Sequence, residues 1–159
     1  QRDYKITWSL CARSGVNTSD TLDMLNCLPI ADYDVVVVSL GVNDATSALS
    51  ANGFIRQQAR LLSMLKSKFS CKLCVCAPVP PFDVMSLPMP LRWVLGQKAC
   101  VFNQRLSVLV AGDSVTELVD MKGLNSKDYL AIDGFHPNHL GYKIWAEKVS
   151  DIVRKKLHI

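Results

Sequence analysis

The chain has 159 residues, 49% hydrophobic and 20% charged, which is the size and mix of one globular domain. No apolar run approaches the roughly 18 residues that a membrane-spanning helix needs, so no transmembrane segment is expected. Its 18 basic and 14 acidic residues give a net charge of +4, and the densest basic run, Arg154-Lys155-Lys156, closes a predicted helix, where cations are favoured. Nucleic-acid binding is therefore not expected.

Taken in order, the chain alternates between strand-like and helix-like patterns. Runs rich in β-branched and aromatic residues predict strands at residues 4–12, 34–40, 72–78 and 115–119. Apolar stripes at helical spacing predict helices that cover residues 22–25, 54–69, 93–110 and 140–157. The first helix is capped by Thr18 or Ser19 and the second by Ser47 or Ser50. Residues 106–111 could also be read as a strand.

This alternation predicts a parallel sheet between two helix layers, a three-layer α/β/α fold with right-handed crossovers. The unbroken valine run in residues 34–40 is typical of a strand buried on both faces of such a sheet. Ligands collect beyond the carboxyl ends of parallel strands. Gly15, Asn43 and the loop 78–90, which holds five of the seven prolines, each follow a predicted strand. We expect them to share one edge of the sheet.

Six cysteines occur, and Cys71, Cys74 and Cys76 lie in or beside a strand-like apolar run. A structural zinc site would need a second Cys-x-x-Cys pair or two closely spaced histidines. Buried, reduced thiols are therefore favoured, which indicates a reducing compartment such as the cytoplasm. No metal or other cofactor is predicted.

The motif Asp133-Gly134-Phe135-His136-Pro137-Asn138 stands just before the last predicted helix. An imidazole titrates near neutral pH, so it can take a proton from a nucleophile and return it to a leaving group. An aspartate three residues earlier can orient that ring. Asp133, His136 and His139 could instead ligate a metal, but groups that close on a turn before a helix more often form a hydrogen-bonded corner.

Three blocks of sequence together resemble the SGNH (GDSL-type) hydrolase and esterase family over essentially the whole chain. They are Gly15 after one strand, Gly-Val-Asn-Asp at residues 41–44 after the next, and Asp133-x-x-His136 before the last helix. The resemblance implies a flavodoxin-like fold and a Ser-His-Asp acyl-enzyme mechanism without a cofactor. In it His136 is the general base, Asp133 orients it, and Gly15 and Asn43 build the oxyanion hole. Asn43 could otherwise only make a turn, and Asp44 is expected to support the loop.

The nucleophile of that family is a serine in a Gly-Asp-Ser type of block after the first strand, and no such block precedes Gly15. Residues 1–159 are therefore expected to be a single, N-terminally incomplete domain that lacks the first strand and helix. The serine would lie upstream. Gly112-Asp113-Ser114 offers Ser114 as an alternative nucleophile in a rearranged site. A further alternative is an inactive SGNH-like module that binds a ligand without turnover.

For the substrate, the informative stretch is the proline-rich loop and the start of the helix after it. Met85, Leu87, Met89 and Trp93 could line an acyl pocket, or could be ordinary loop packing. The resemblance implies a small carboxylic acyl ester: a short acyl ester, an acetylated sugar or a lysophospholipid. The sequence does not choose among them, and it does not set an oligomeric state.

Overall fold

The structure, a computed structural model, describes residues 5–124 and 126–159. The helices are α1 (Thr18–Cys27), α2 (Val42–Thr46), α3 (Ala51–Phe69), α4 (Leu91–Ala111) and α5 (His139–Leu157). The strands are β1 (Val35–Val38), β2 (Leu73–Cys76) and β3 (Thr116–Leu118). Short 3-10 turns lie at Phe82–Val84 and Lys127–Tyr129. None of the helices described is long and apolar enough to span a bilayer.

The three strands form one parallel sheet in the order β1-β2-β3. Val36 pairs with Cys74, which pairs in turn with Thr116. The central strand β2 is buried at every position, as its apolar sequence predicts. A helix follows each strand and returns the chain to the opposite edge, so the loops after β1, β2 and β3 meet at the carboxyl edge of the sheet.

Side chains of β2 alternate between two helix layers, because successive residues of a strand point to opposite faces. Cys74 and Cys76 pack in a cluster with leucines of α1 and α3. Leu73 and Val75 pack in another with the apolar stripe of α5, which consists of Trp145, Val149, Ile152, Val153 and Leu157. The three-layer α/β/α arrangement predicted from the sequence is confirmed.

A further cluster joins α4 to the loops at the carboxyl edge. The rings of Phe54 from α3 and Phe102 from α4 stack with centroids 4.2 Å apart, and both side chains are fully buried. Val79 and Phe82, from the loop after β2, pack on the same cluster. The Asn103 side chain of α4 accepts from the N–H of Val79 and donates to its carbonyl, both at 2.8 Å. The loop after β2 is thereby fixed to α4.

The strand predicted for residues 4–12 is not found. Tyr4 lies outside the described residues, and residues 5–12 form no strand and are exposed throughout. The alternating Ile6, Trp8 and Leu10 are each about 80% exposed. A strand exists only through hydrogen bonds to a neighbour, and no described strand pairs with this segment, which touches the body through a Ser9 hydroxyl bond to Tyr33. The segment has residues that favour a strand, but no described strand lies beside it to pair with.

The other sequence predictions differ from the structure in detail. Strand β1 was expected to be buried on both faces, but it is an edge strand in which only Val38 is buried and Val37 is 41% exposed. The alternative of a strand at residues 106–111 is wrong, because they belong to α4. Ser50 caps α3 as predicted, whereas α1 is capped by Asn17, whose side chain and Asp20 form a reciprocal capping box.

The cysteines divide into two groups. Cys71, Cys74 and Cys76 are buried, which confirms the expectation for the strand, while Cys11, Cys27 and Cys100 are exposed, and all six are free thiols. A hydrogen bond with Cys74, together with burial, raises the pKa of the Cys71 thiol.

We predict that iodoacetamide under native conditions modifies Cys11, Cys27 and Cys100 and leaves the three buried thiols intact, because alkylation needs an accessible thiolate. Peptide mass spectrometry before and after denaturation measures this. Rapid native labelling of Cys74 or Cys76 would show that the packing around β2 is wrong.

Candidate active site

The motif of residues 133–138 folds into a tight loop closed by backbone hydrogen bonds. The N–H of Ala131 donates to the His136 carbonyl at 2.7 Å, and the N–H of Gly134 donates to the Ala131 carbonyl at 2.8 Å. Gly134 has a φ of +65°, a conformation that glycine adopts without strain. Asn138 then caps α5 by accepting from the N–H groups of Leu140 and Gly141. The histidine is thus held at the entrance of a helix.

Asp133 fixes the imidazole. One carboxylate oxygen, Oδ1, accepts the backbone N–H groups of Phe135 and His136 at 2.9 and 3.0 Å. The other, Oδ2, lies 2.6 Å from Nδ1 of His136. A neutral imidazole that donates from Nδ1 carries its lone pair on Nε2, so this geometry leaves Nε2 as the basic atom. The His136 side chain is 67% exposed, so that atom is accessible.

The same contacts set the charge of the pair. The His136 hydrogen bond, followed by the two backbone N–H groups, lowers the pKa of Asp133 from its ordinary value of 3.8 to about 2. The carboxylate therefore remains ionised at every pH at which the ring could act as a base, and it can stabilise an imidazolium.

The His136 loop docks on the loop that follows β2. The N–H of Ser86 donates to the Gly134 carbonyl at 2.9 Å. The Phe135 ring packs against Phe82 with centroids 6.5 Å apart. Because Phe82 and Ser86 come shortly after β2, these contacts hold the histidine at the carboxyl edge of the sheet.

Asn43 and Gly15 meet at that edge as well. The Asn43 amide donates to the carbonyl of Val16 at 2.8 Å, so the side chain lies against the residue that follows Gly15. Gly15 has a φ of +78°, and a Cβ there would meet no atom within 4 Å. No described group accepts a hydrogen bond from its N–H. One N–H of the Asn43 amide is used, which leaves the second for a ligand.

Asp44, next to Asn43, is fully buried and holds the two segments together. Its carboxylate accepts the Thr18 N–H at 3.1 Å and the Thr18 hydroxyl at 2.9 Å. The Thr18 hydroxyl in turn accepts from the Gln58 amide at 2.8 Å. The supporting role expected for Asp44 is confirmed. It ties the start of α1, and with it Gly15, to α2 and α3.

Ser114 lies elsewhere. It is exposed just before β3, beside Asp113, whose carboxylate pairs with Lys66 at 2.7 Å. In a parallel sheet that position is the amino edge, and at about 3.3 Å per residue the strand alone separates it from the opposite loops by roughly 10 Å. The structure does not bring Ser114 to His136.

The residues suggested for a substrate pocket separate into two pairs. Met89 and Trp93 line a cavity of about 930 Å³ between the loop after β2, α4 and the loop after β3. Met85 is buried in the core, and Leu87 packs against the same cluster.

In the part of the chain that the structure describes, no three His, Cys, Asp or Glu side chains are grouped as a metal ion would require. His139 is an exposed residue in the first turn of α5.

Comparison with known proteins gives the family. Residues 1–144 match the GDSL-like lipase/acylhydrolase family. The chain belongs to that family. Membership places it among the hydrolases of carboxylic esters. A comparison with curated protein sequences finds no match.

Solved structures share the fold of this GDSL-like chain. The lipase/acylhydrolase from Enterococcus faecalis is 19% identical with a TM-score of 0.65, and the match covers 89% of this chain and 70% of that one. The acetylxylan esterase Axe2 from Geobacillus stearothermophilus is 18% identical with a TM-score of 0.59, over 88% and 68% of the two chains. LAE5, an alpha/beta hydrolase enzyme from the Lake Arreo metagenome, is 15% identical with a TM-score of 0.66, over 88% and 69%.

Sequence reasoning missed three residues that build the site of this GDSL-like chain. The Ser86 N–H holds the His136 loop, Asn103 fixes the loop after β2, and Thr18, which the sequence suggested only as a helix cap, donates to the Asp44 carboxylate. Each acts on a residue at least 24 positions away in the sequence. No local pattern signals such contacts.

We predict that the Asp133 carboxyl titrates near pH 2 and that its pKa rises toward 3.8 in His136→Ala, without reaching it because two backbone donors remain. Since the folded pKa lies below the ordinary value, ionisation stabilises the loop above pH about 4, and this contribution is lost as the pH falls through about 2. Carboxyl ¹³C chemical shifts measure both titrations. The same midpoint in the two proteins would contradict the observed hydrogen bond.

We predict that Gly134→Ala destabilises the fold more than Gly123→Ala. Both glycines have a positive φ, +65° and +87°, so both variants incur a backbone cost of about 1–2 kcal/mol. A Cβ at Gly134 would also lie 2.6 Å from the Ser86 Cβ, whereas one at Gly123 meets nothing within 4 Å. The overpacking adds about 1–3 kcal/mol.

Urea unfolding measures the difference. Combining Gly134→Ala with Ser86→Gly should recover the steric part and leave the backbone part. Equal losses for Gly134→Ala and Gly123→Ala would mean that the His136 loop does not dock on Ser86.

Proposed function

We propose that this chain forms the base and oxyanion side of a serine esterase site that hydrolyses carboxylic acyl esters. His136 acts as the general base, Asp133 orients it, and the Gly15 N–H and Asn43 amide stabilise the oxyanion. The observation that carries this proposal is the 2.6 Å contact between Asp133 Oδ2 and His136 Nδ1, which leaves Nε2 accessible.

The reaction then proceeds in two acyl transfers. A serine hydroxyl attacks the ester carbonyl while His136 Nε2 takes its proton, and Asp133 stabilises the imidazolium. The carbonyl oxygen gains negative charge and accepts hydrogen bonds from the Gly15 N–H and the Asn43 amide. Collapse breaks the ester bond, and His136 returns the proton to the leaving alcohol. Water, deprotonated by His136, attacks the acyl-enzyme and releases the acid and the free serine.

We place the serine in a segment that precedes residue 1. Two features of the structure support this placement. The edge of β1 that faces away from β2 has no described partner, and the apolar side chains of Ile6, Trp8 and Leu10 are exposed. Sheet edges with exposed apolar side chains are rarely left open. A strand paired with the free edge of β1 would cover that edge and deliver a side chain to the carboxyl edge of the sheet.

A non-catalytic binding module is the second candidate. It is favoured by one observation: within residues 5–124 and 126–159, no serine hydroxyl makes a hydrogen bond to the His136 ring. Such a module would bind acyl esters or acids without turning them over.

We expect a fluorophosphonate probe and p-nitrophenyl acetate to separate these candidates in the full-length protein. A serine esterase is labelled and turns over, and His136→Ala abolishes both. Asn43→Ala should lower kcat by about 10²–10³ with little change in KM, since an oxyanion donor acts mainly in the transition state. Ser114→Ala is the matched serine control and should change neither.

Peptide mapping completes the test. Label on a serine that precedes residue 1 supports the proposal, and label on a serine within residues 1–159, such as Ser114, overturns it. No labelling and no turnover, with ligand binding retained, favours the binding module.

A further inference from the structure

The cavity of about 930 Å³ at the carboxyl edge has the size of a small-molecule site, for which roughly 300–1,000 Å³ is usual. Apolar side chains form much of its wall: Val79, Phe82, Met89, Trp93, Leu118 and Met121. Of the charged residues that line it, Asp83, Asp120, Lys122 and Lys127 are exposed and Arg92 is partly buried. The buried part of the wall, which includes Val79, Phe82 and Ala99, is apolar, and exposed side chains of both kinds surround it.

Gly96, in the cavity wall, has no packing reason to be a glycine. It lies inside α4, a 21-residue helix, where glycine is the least favourable residue after proline. A Cβ at this position would meet no atom within 4 Å. Its neighbours on the same helix face, Trp93, Ala99 and Cys100, also line the cavity. A larger residue at Gly96 would therefore project into the cavity.

The floor beneath this opening is rigid. The Asn103 amide makes two 2.8 Å hydrogen bonds to the backbone of Val79. Phe82 and Ala99 are buried in the core cluster that joins the loop to α4. Since the buried lining residues Val79, Phe82 and Ala99 are apolar, the deep part of the cavity presents mainly hydrocarbon to a ligand. An apolar chain fits it better.

The cavity is connected to the His136 loop through two elements of its wall. Phe82 contacts the ring of Phe135, the residue before His136. In the 3-10 turn that begins at Lys127, the Asp128 carbonyl accepts a 2.7 Å hydrogen bond from the side-chain amide of Asn138. A group bound in the cavity therefore lies beside the loop that carries the base.

We propose that the cavity binds the acyl chain of a medium-chain ester and that Gly96 sets the length of chain it accepts. This inference rests on the proposed esterase function for its substrate class. Each methylene that enters an apolar cavity tightens binding by about three- to fourfold. The site therefore selects esters of medium-chain fatty acids over acetate esters.

The test begins with binding, which does not require catalysis. Butanoate, hexanoate, octanoate and decanoate are titrated into the full-length protein by calorimetry. We expect affinity to rise about three- to fourfold per methylene. Gly96→Leu should remove at least tenfold of the decanoate affinity, whereas Val108→Leu, an exposed position on α4 outside the cavity, should not change it.

Turnover of p-nitrophenyl esters is the second readout. In Gly96→Leu, kcat/KM for the decanoate ester should fall at least tenfold, and that for the acetate ester should stay within twofold. Chain-length-independent binding in the unmodified protein, or equal behaviour of Gly96→Leu and Val108→Leu, overturns the inference. If alkanoates bind as expected but no ester is hydrolysed, the chain pocket stands and the esterase proposal fails.

Discussion

One carboxylate determines what the His136 loop can do. Asp133 accepts two backbone N–H groups of its own loop and the Nδ1 edge of the imidazole, so a single side chain sets both the loop conformation and the ring orientation. Its two backbone contacts use one oxygen, which leaves the other for the ring. Asp133 therefore holds the ring at its Nδ1 edge, while the Nε2 edge faces solvent. A base with this orientation is useful only if the remaining groups of the site meet it at the same edge.

Different polar contacts bring the loops to that edge. Asp44 ties the start of α1 to α2, and Asn103 ties the loop after β2 to α4. The N–H of Ser86 donates to the His136 loop. The first two are buried or partly buried, where an unmade hydrogen bond is expensive, so each contact specifies one arrangement. The parallel sheet directs the loops toward one edge, and these contacts fix where each loop lies at that edge. The apolar cavity lies between two of the loops so fixed.

The local parts of this structure are predictable from sequence and the long-range parts are not. Strands β1 and β2 are predicted from their unbroken apolar runs, and helices α3 and α5 from apolar stripes at helical spacing. The His136 motif is recognised from the chemistry of its aspartate and histidine. Residues 5–12 have strand composition, but pairing depends on a neighbour that composition does not reveal. Asn103 and Ser86 act across the fold. From the sequence, Gly96 is only an unfavourable residue inside a helix. Its link to the cavity is evident only from the structure, which shows empty space beside it.

The central claim is that His136 carries its proton on Nδ1, toward Asp133, and keeps Nε2 free. Imidazole ¹⁵N chemical shifts and two-bond ¹⁵N–¹H couplings, recorded at a pH where the ring is neutral, report the tautomer directly. The structure predicts a protonated Nδ1 and an unprotonated Nε2. The opposite tautomer, with the proton on Nε2, would mean that the ring cannot act as the base of this site.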